Sequence, residues 1–201
     1  MIINNQKTIK KEVSLHGVGL HTGESVTLTF KPAPVNNGFT FKRVDLEGQP
    51  VIPADATFVT ETDRGTSLEK NGVVIQTSEH VLAACVGLGL DNVILELNSS
   101  EPPIMDGSSK FFVEALEEAG IEEQHTPRED YIVKDVISYK DEETGSEIIV
   151  MPADEYQVTT MVDFGTKVLG TQNAYLDKMS DFKTEIAASR TFSFLHELEA
   201  L

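Results

Sequence analysis

The sequence predicts an α+β fold arranged as two similar halves. In each half, segments with the two-residue alternation of β-strands come first, and a segment with helical spacing follows them. Between the halves, residues 122–130 read "EEQHTPRED", are polar, contain a proline and keep neither period, which is typical of a domain boundary. We therefore expect a first domain over residues 1–127 and a second over residues 128–201.

Strand patterns dominate the first half. Val26, Leu28 and Phe30 alternate with polar residues, which predicts a half-buried strand after a glycine-rich turn. Asn71 and Gly72 form a strong hairpin signal directly before the short strand pattern "VVI". The segments "NNGFTFKRVD" and "DNVILELN" predict two further strands, the second of them buried.

The glycine-rich turn contains Gly17, Gly19 and Gly23. A dinucleotide-binding loop opens a helix, and its third glycine would fall at Thr22. Because a strand pattern follows instead, we exclude a dinucleotide-binding role for this turn.

Two helices are predicted in the first half. The first begins after Thr77 or Ser78, either of which is a good N-cap, and has Val81, Cys85 and Leu88 on one face. The second follows "PPIMDGSS", with Ser108 or Ser109 as its cap, and stops at Gly120. Its apolar face consists of Phe112, Ala115, Leu116 and Ala119.

The second half repeats the order of strands and then helix. The strand-like segments are "YIVKDVISYK", "SEIIVMPAD" and "YQVTTMVDF", and a helix is predicted at about residues 180–189, with Phe182 and Ile186 one turn apart. The last ten residues, "FSFLHELEAL", form an amphipathic pattern without a cap or a turn. We therefore expect the second domain to be incomplete and the apolar end to promote self-association.

Composition and charge narrow the classes of function. The 201 residues are 40% hydrophobic and 24% charged, as in folded globular proteins, and 16 Lys and Arg against 33 Asp and Glu give a net charge of -17. This charge argues against binding to nucleic acid or to an anionic membrane. Cys85 is the single cysteine, which excludes an internal disulfide and predicts a buried thiol. No apolar stretch approaches the ~20 residues of a membrane span, so we expect a cytoplasmic location and no stable membrane insertion.

A carboxylate and an imidazole stand side by side at Glu79 and His80, in the first turn of the first predicted helix. The backbone N–H groups there favour an ionised Glu79 and a neutral His80, the states required of a general base and of a metal ligand. Acidic residues are also common in the first turns of helices for structural reasons. The local sequence therefore leaves open whether the pair is catalytic or purely structural. The usual zinc-helix patterns are absent, since Ala84 and Gln76 occupy the positions of their second histidine.

Several ordered motifs resemble those of one bacterial family. These motifs are "GVGLHTGE", "FKPAP", "TSEHVLAACVGLGLDN", "PPIMDGSS" with "FFVEALEEAGI", and "ASRTFSF". Their order and spacing resemble the UDP-3-O-acyl-N-acetylglucosamine deacetylases (LpxC) over essentially the whole chain. The resemblance implies two domains, each a β-sheet packed on two helices, with the active site between them. It also implies zinc-dependent removal of an N-acetyl group from an acylated UDP-glucosamine, a small-molecule substrate, on the route to lipid A.

The resemblance assigns roles to single residues. It makes Glu79 the general base, His80 the first zinc ligand, and Thr191 a hydrogen-bond donor to the oxyanion. Five further residues would contact substrate: Asp163, Phe164 and Phe192 near the sugar nucleotide, and Leu20 and Phe194 at the passage for the acyl chain.

The sequence also departs from the family pattern. The family's remaining zinc ligands, in an H-K-x-x-D motif, and its general-acid histidine follow the "RTF" segment and have no counterpart here. We therefore expect these 201 residues alone to lack two zinc ligands and to be inactive. Gly65 stands where many relatives carry cysteine, and no dehydratase segment, such as is fused to some relatives, is visible. The alternative hypothesis is a non-catalytic module that binds a sugar nucleotide or a protein.

Overall fold

The computed structural model describes residues 4–62 and 64–193. The strands of this part are β1 (Asn5–Ile9), β2 (Val13–Val18), β3 (Ser25–Pro32), β4 (Phe39–Arg43), β5 (Val51–Pro53), β6 (Val59–Glu61), β7 (Ser67–Lys70), β8 (Val73–Ile75), β9 (Val93–Leu97), β10 (Ile121–Pro127), β11 (Ile137–Lys140), β12 (Glu147–Val150), β13 (Val158–Asp163) and β14 (Thr171–Leu176). The α-helices are α1 (Glu79–Gly87) and α2 (Lys110–Ala119), and short helical turns occur at Ala56–Phe58, Met179–Asp181 and Phe182–Ile186. The predicted α+β class is confirmed.

A five-stranded mixed sheet forms the framework, in the order β2-β3-β9-β4-β5. Strand β4 runs parallel to β9, and the other neighbours are antiparallel. The predicted alternation in β3 is confirmed, because Val26, Leu28 and Phe30 are buried and their neighbours are not. One hydrophobic core joins this sheet to both α-helices, with the rings of Phe30 and Phe112 packed edge to face at 6.4 Å.

The Asn71-Gly72 turn joins β7 and β8 in a separate three-stranded sheet, β6-β7-β8. Both turn residues have positive φ, 54° and 79°, as a tight hairpin turn of this kind requires. The hairpin prediction is therefore confirmed.

Most of the polar segment at residues 122–130, where the sequence predicts a domain boundary, belongs to a strand. Residues 121–127 form β10, which pairs antiparallel with β1, and Arg128 donates its N–H to the carbonyl of Asn4. Strand β1 supplies hydrogen-bond partners for the backbone of β10, so β10 forms without an apolar alternation. Pro127 lies at the end of β10, where a missing N–H is tolerated. The division into domains at residues 127 and 128 stays a prediction.

The start of α1 is as predicted, but neither proposed cap acts as one. The helix begins at Glu79, and the side chain of Ser78 makes no capping hydrogen bond. The Ser78 hydroxyl donates to the carbonyl of Thr66, and the Thr77 hydroxyl donates to Glu101. Both side chains therefore tie the helix to distant segments.

Cys85 is fully buried, as predicted, and burial raises the pKa of its thiol to about 12.

Helix α2 also agrees with its prediction. It begins after Ser109, and its predicted apolar face is buried throughout. It ends at Gly120, whose φ of +73° suits a residue without a side chain. Neither helix, nor any other within residues 4–62 and 64–193, is long and apolar enough to cross a membrane.

The second half forms two exposed hairpins. Strand β11 pairs with β12 and β13 pairs with β14, both antiparallel. Nearly every residue of these strands is exposed, including Ile137, Ile148 and Met161. The predicted terminal apolar stripe, from Phe194 to Leu201, lies outside the described residues.

The α-helix predicted at about residues 180–189 is not found. A 3₁₀ turn at Met179–Asp181 is followed by a turn of π geometry at Phe182–Ile186, in which Ala187 donates its N–H to the carbonyl of Phe182. The wider turn buries Phe182 and Ala187, five residues apart, whereas α-helical spacing would pair Phe182 with Ile186.

Phe182 is anchored against the last residue of α1. A Cβ added to Gly87 would lie 2.1 Å from the Phe182 ring, so only glycine allows this approach. Lys183 reinforces the contact through an ion pair with Glu117 of α2, with Nζ–Oε1 at 2.8 Å. The segment that leads to Thr191 is therefore fixed to both helices.

We expect Gly87→Ala to lower the free energy of unfolding by about 1–3 kcal/mol, the usual cost of overpacking. Without the Phe182 contact, the same change in a helix would stabilise the protein by up to about 1 kcal/mol. Urea denaturation of Gly87→Ala in the wild type and in a Phe182→Ala background checks this. Destabilisation of the same size in both backgrounds would contradict the explanation, and Val86→Ala, at an exposed neighbour, is the matched control.

Candidate active site

Glu79 and His80 occupy the first turn of α1, as the sequence predicts. Glu79 Oε1 lies 3.9 Å from His80 Nε2, and Glu79 Oε2 accepts the N–H of Thr66 at 2.9 Å. The Glu79 and His80 side chains are 39% and 17% exposed. One carboxylate oxygen is thus fixed by the backbone, and the other faces an imidazole at the protein surface.

The loop before β7 forms one wall of this site. A Cβ added to Gly65 would lie 3.5 Å from Glu79 Oε1 and 3.4 Å from Thr77 Oγ1, which is ordinary van der Waals contact. A side chain at position 65 would therefore fit directly beside Glu79, and glycine leaves that wall open.

The turn at residues 106–109 connects Thr191 with His80. The N–H of Thr191 donates to the carbonyl of Gly107 at 2.8 Å, and the Ser109 hydroxyl donates to the carbonyl of His80 at 2.9 Å. Gly107 and Ser109, two positions apart in one turn, thus hold the Thr191 backbone and the His80 backbone. The structure therefore links two predicted site residues that are 111 positions apart in the sequence.

The same turn is stabilised by Asp106. Its carboxylate accepts hydrogen bonds from the hydroxyl and the N–H of Ser108, and its Oδ2 lies 3.5 Å from Arg190 Nε. The hydrogen bond from the Ser108 hydroxyl is the main cause of a lowered pKa at Asp106, and the charge of Arg190 lowers it further. An ionised Asp106 thus holds the segment next to Thr191.

Two predicted substrate-contacting residues lie together. The rings of Phe164 and Phe192 pack edge to face, with centroids 5.1 Å apart. Asp163 is exposed at the end of β13 and accepts the N–H of Gly165. Leu20 lies in the turn after β2 and is 49% exposed. Phe194 lies outside the described residues.

An open groove of about 400 Å³ adjoins the 106–109 turn. Most of its lining is apolar, and Asp106 contributes a carboxylate. The lining consists of His16, Gly17, Val18, Ile104, Met105, Asp106 and Phe111.

Glu101 is a residue that the sequence prediction missed. It is fully buried, and its two oxygens accept hydrogen bonds from the N–H groups of His21 and Thr22 and from the hydroxyls of Thr22 and Thr77. Burial raises the pKa of this carboxyl, but these hydrogen bonds outweigh burial and lower it overall.

The glycine-rich turn serves this buried carboxylate. A Cβ added to Gly19 would lie 2.6 Å from Glu101 Oε2 and 2.2 Å from Thr22 Oγ1. The glycines of this turn are the sequence feature that indicates a close approach of another group to its backbone. Its partner is a carboxylate of the same chain.

His80 and Glu79 carry donor groups of the kinds that bind metal ions. Imidazole and carboxylate donors suit zinc, and His80 and Glu79 supply one of each. However, residues 4–62 and 64–193 contain no cluster of three or more His, Cys, Asp or Glu side chains placed to hold a metal ion. A catalytic zinc usually takes three protein ligands.

The α+β framework thus presents Glu79 and His80 on the first turn of α1, and the turn at residues 106–109 ties the Thr191 backbone to that of His80. The family model for LpxC, UDP-3-O-acyl N-acetylglycosamine deacetylase, matches residues 6–201. The chain therefore belongs to this family.

Curated relatives agree with this assignment. The chain is 48% identical over 196 residues to the "Bifunctional enzyme LpxC/FabZ" of Bacteroides thetaiotaomicron, a match that covers 98% of the chain and 42% of that protein. It is 41% identical over 201 residues to the "UDP-3-O-acyl-N-acetylglucosamine deacetylase" of Xanthomonas oryzae pv. oryzae, covering 98% of the chain and 65% of that protein. The protein of the same name in Myxococcus xanthus is 40% identical over 198 residues, 98% of the chain and 62% of that protein. The chain thus spans less than two thirds of the length of these relatives.

Proposed function

We propose that this chain forms part of a zinc-dependent deacetylase that removes the N-acetyl group of UDP-3-O-acyl-N-acetylglucosamine in lipid A biosynthesis. The observation that carries the proposal is the placement of Glu79 Oε1 3.9 Å from His80 Nε2 on the first turn of α1, in a chain of this family. The remaining zinc ligands and the general acid are proposed to lie outside these 201 residues, in a complete polypeptide as long as the relatives.

Glu79 is proposed as the general base. Thr66 holds its Oε2, which leaves Oε1 directed toward His80 as the oxygen that accepts a proton from water. His80 is proposed as a zinc ligand, with its backbone fixed by the Ser109 hydroxyl. A zinc ion in the complete site would act as a Lewis acid and lower the pKa of water to about 7.

Thr191 is proposed as the oxyanion donor. Its backbone is fixed by the carbonyl of Gly107, in the turn that also holds the His80 backbone, and fixed donors are the effective ones at a developing negative charge. Preorganisation by this turn supports the role.

We propose that the Phe164–Phe192 pair and Asp163, at the end of β13, contact the sugar nucleotide. The rings of half-buried Phe164 and exposed Phe192, 5.1 Å apart, offer aromatic surface for a base to stack on, and the Asp163 carboxylate can accept hydrogen bonds from sugar hydroxyls. Leu20 and Phe194 are proposed to line the passage for the acyl chain.

The test is an assay of the complete polypeptide, zinc-loaded, for acetate release from UDP-3-O-acyl-N-acetylglucosamine. We expect release that a chelator abolishes and that added zinc restores. Absence of release from a zinc-loaded, folded sample would overturn the proposal, and binding of the intact sugar nucleotide in that sample would favour the non-catalytic module.

A further inference from the structure

Glu101 is a buried carboxylate for which the proposed mechanism has no use. It is fully buried, and residues 4–62 and 64–193 place no Lys, Arg or His side chain in an ion pair with it. Its charge is balanced by neutral donors alone, from Thr77 and from the turn at residues 21–22. Burying a charge without a cation is costly, so this arrangement calls for an explanation beyond stability.

The carboxylate joins two segments that are far apart in the sequence. Oε1 accepts the Thr77 hydroxyl at 2.8 Å, and Oε2 accepts the N–H groups of His21 and Thr22, each at 3.0 Å. The first segment leads directly into Glu79, and the second directly follows Leu20. One side chain therefore fixes the spacing between the start of α1 and the turn that carries Leu20.

Thr77 is held in a conformation that it would not adopt by itself. Its φ is +49°, in the left-handed region, which is strained for a β-branched residue. Its hydroxyl donates to Glu101. The next residue, Ser78, donates both its N–H and its hydroxyl to the carbonyl of Thr66. The N–H of Thr66 in turn donates to Glu79 Oε2. The orientation of Glu79 therefore depends on how Thr77 is held.

We propose that Glu101 is a positioning residue for Glu79: acting through Thr77, it sets the direction in which α1 presents the Glu79 carboxylate. This inference rests on the proposed function for its consequence in turnover. Its structural part, the control of the Thr66–Glu79 contact by Glu101 and Thr77, is independent of that function.

The structural part is tested on the 201-residue chain by amide hydrogen exchange. We expect Glu101→Gln and Thr77→Val each to speed exchange of the Thr66 N–H at least about tenfold relative to the Leu95 N–H, which reports global opening in the central strand β9. Thr77→Ser keeps the hydroxyl and should leave the ratio unchanged. Ser99→Ala is the matched control, since Ser99 is buried two residues from Glu101 but donates to Glu24. An unchanged ratio in either Glu101→Gln or Thr77→Val would overturn the proposal.

The catalytic part is tested on the zinc-loaded complete polypeptide. We expect Thr77→Val to lower kcat by about 10- to 100-fold with KM changed less than about threefold, because a misplaced base weakens the transition state more than substrate binding. In a Glu101→Gln background the same change should lower kcat less than about twofold further, since both act on one contact. The proposal would be overturned if the effects of Thr77→Val and Glu101→Gln on kcat multiplied as independent effects do. It would also be overturned if Thr77→Val lost stability but kept the wild-type kcat. An inactive wild type would instead refute the proposed function and leave the exchange result to decide the positioning role.

Discussion

Glu79→Gln in the complete polypeptide is expected to lower kcat by about 10²- to 10⁴-fold while zinc remains bound, the usual worth of a positioned general base. Glutamine has the size of glutamate and can still accept the Thr66 N–H through its carbonyl oxygen. It lacks the basic oxygen that faces His80 in the wild type. The measurements are kcat under saturating substrate and zinc content after dialysis.

The matched control for this variant is Glu114→Gln. Glu114 is an exposed residue of α2 that lies 3.8 Å from Lys110, one turn away, so its replacement should leave turnover unchanged. A turnover near that of the wild type in Glu79→Gln would remove Glu79 from the mechanism. The purely structural interpretation of the pair predicts that outcome, with a loss of a few tenths to about 1 kcal/mol of stability as its only effect.

His80→Ala is expected to lower zinc affinity by at least about 10²-fold, because even groups that only orient metal ligands are worth 10- to 100-fold. Activity should fall with zinc occupancy, and added zinc should restore it only in part, since the first ligand is gone. Metal analysis over a series of zinc concentrations, with kcat measured in parallel, checks this.

His125→Ala provides the control for the loss of an imidazole. His125 is exposed on β10, and its removal should leave both zinc content and kcat unchanged. If His80→Ala kept full zinc affinity, His80 would not be a ligand. The two variants separate the roles, because the glutamate change is expected to spare the metal and the histidine change to lose it.

Local pattern accounts for much of the fold. The alternation of Val26, Leu28 and Phe30 determines which face of β3 is buried, and positive φ values at Asn71 and Gly72 determine the hairpin between β7 and β8. The starts of α1 and α2 follow from a polar residue before a helical period. These features depend on residues within a few positions of each other, and a sequence displays such relations directly.

The pattern failed where a distant partner changed the local preference. Residues 121–127 are polar and end in proline, yet β1 supplies backbone partners that make them a strand. The segment at residues 182–186 has α-helical spacing, yet contact of Phe182 with Gly87 accompanies a π turn that buries Phe182 and Ala187 together. In both cases tertiary contacts outweighed a propensity that is worth only tenths of a kcal/mol per residue.

The sequence by itself determined the α+β class, the strands with clear alternation, and the adjacency of Glu79 and His80, which are neighbours in the chain and share one helical turn. Only the tertiary structure decided what surrounds that pair. Thr191 reaches it through Gly107 and Ser109, and Glu101 reaches it through Thr77. These contacts join segments separated by between 24 and 84 positions, and a hydrogen bond across such a distance leaves no period or composition in the sequence from which it could be read.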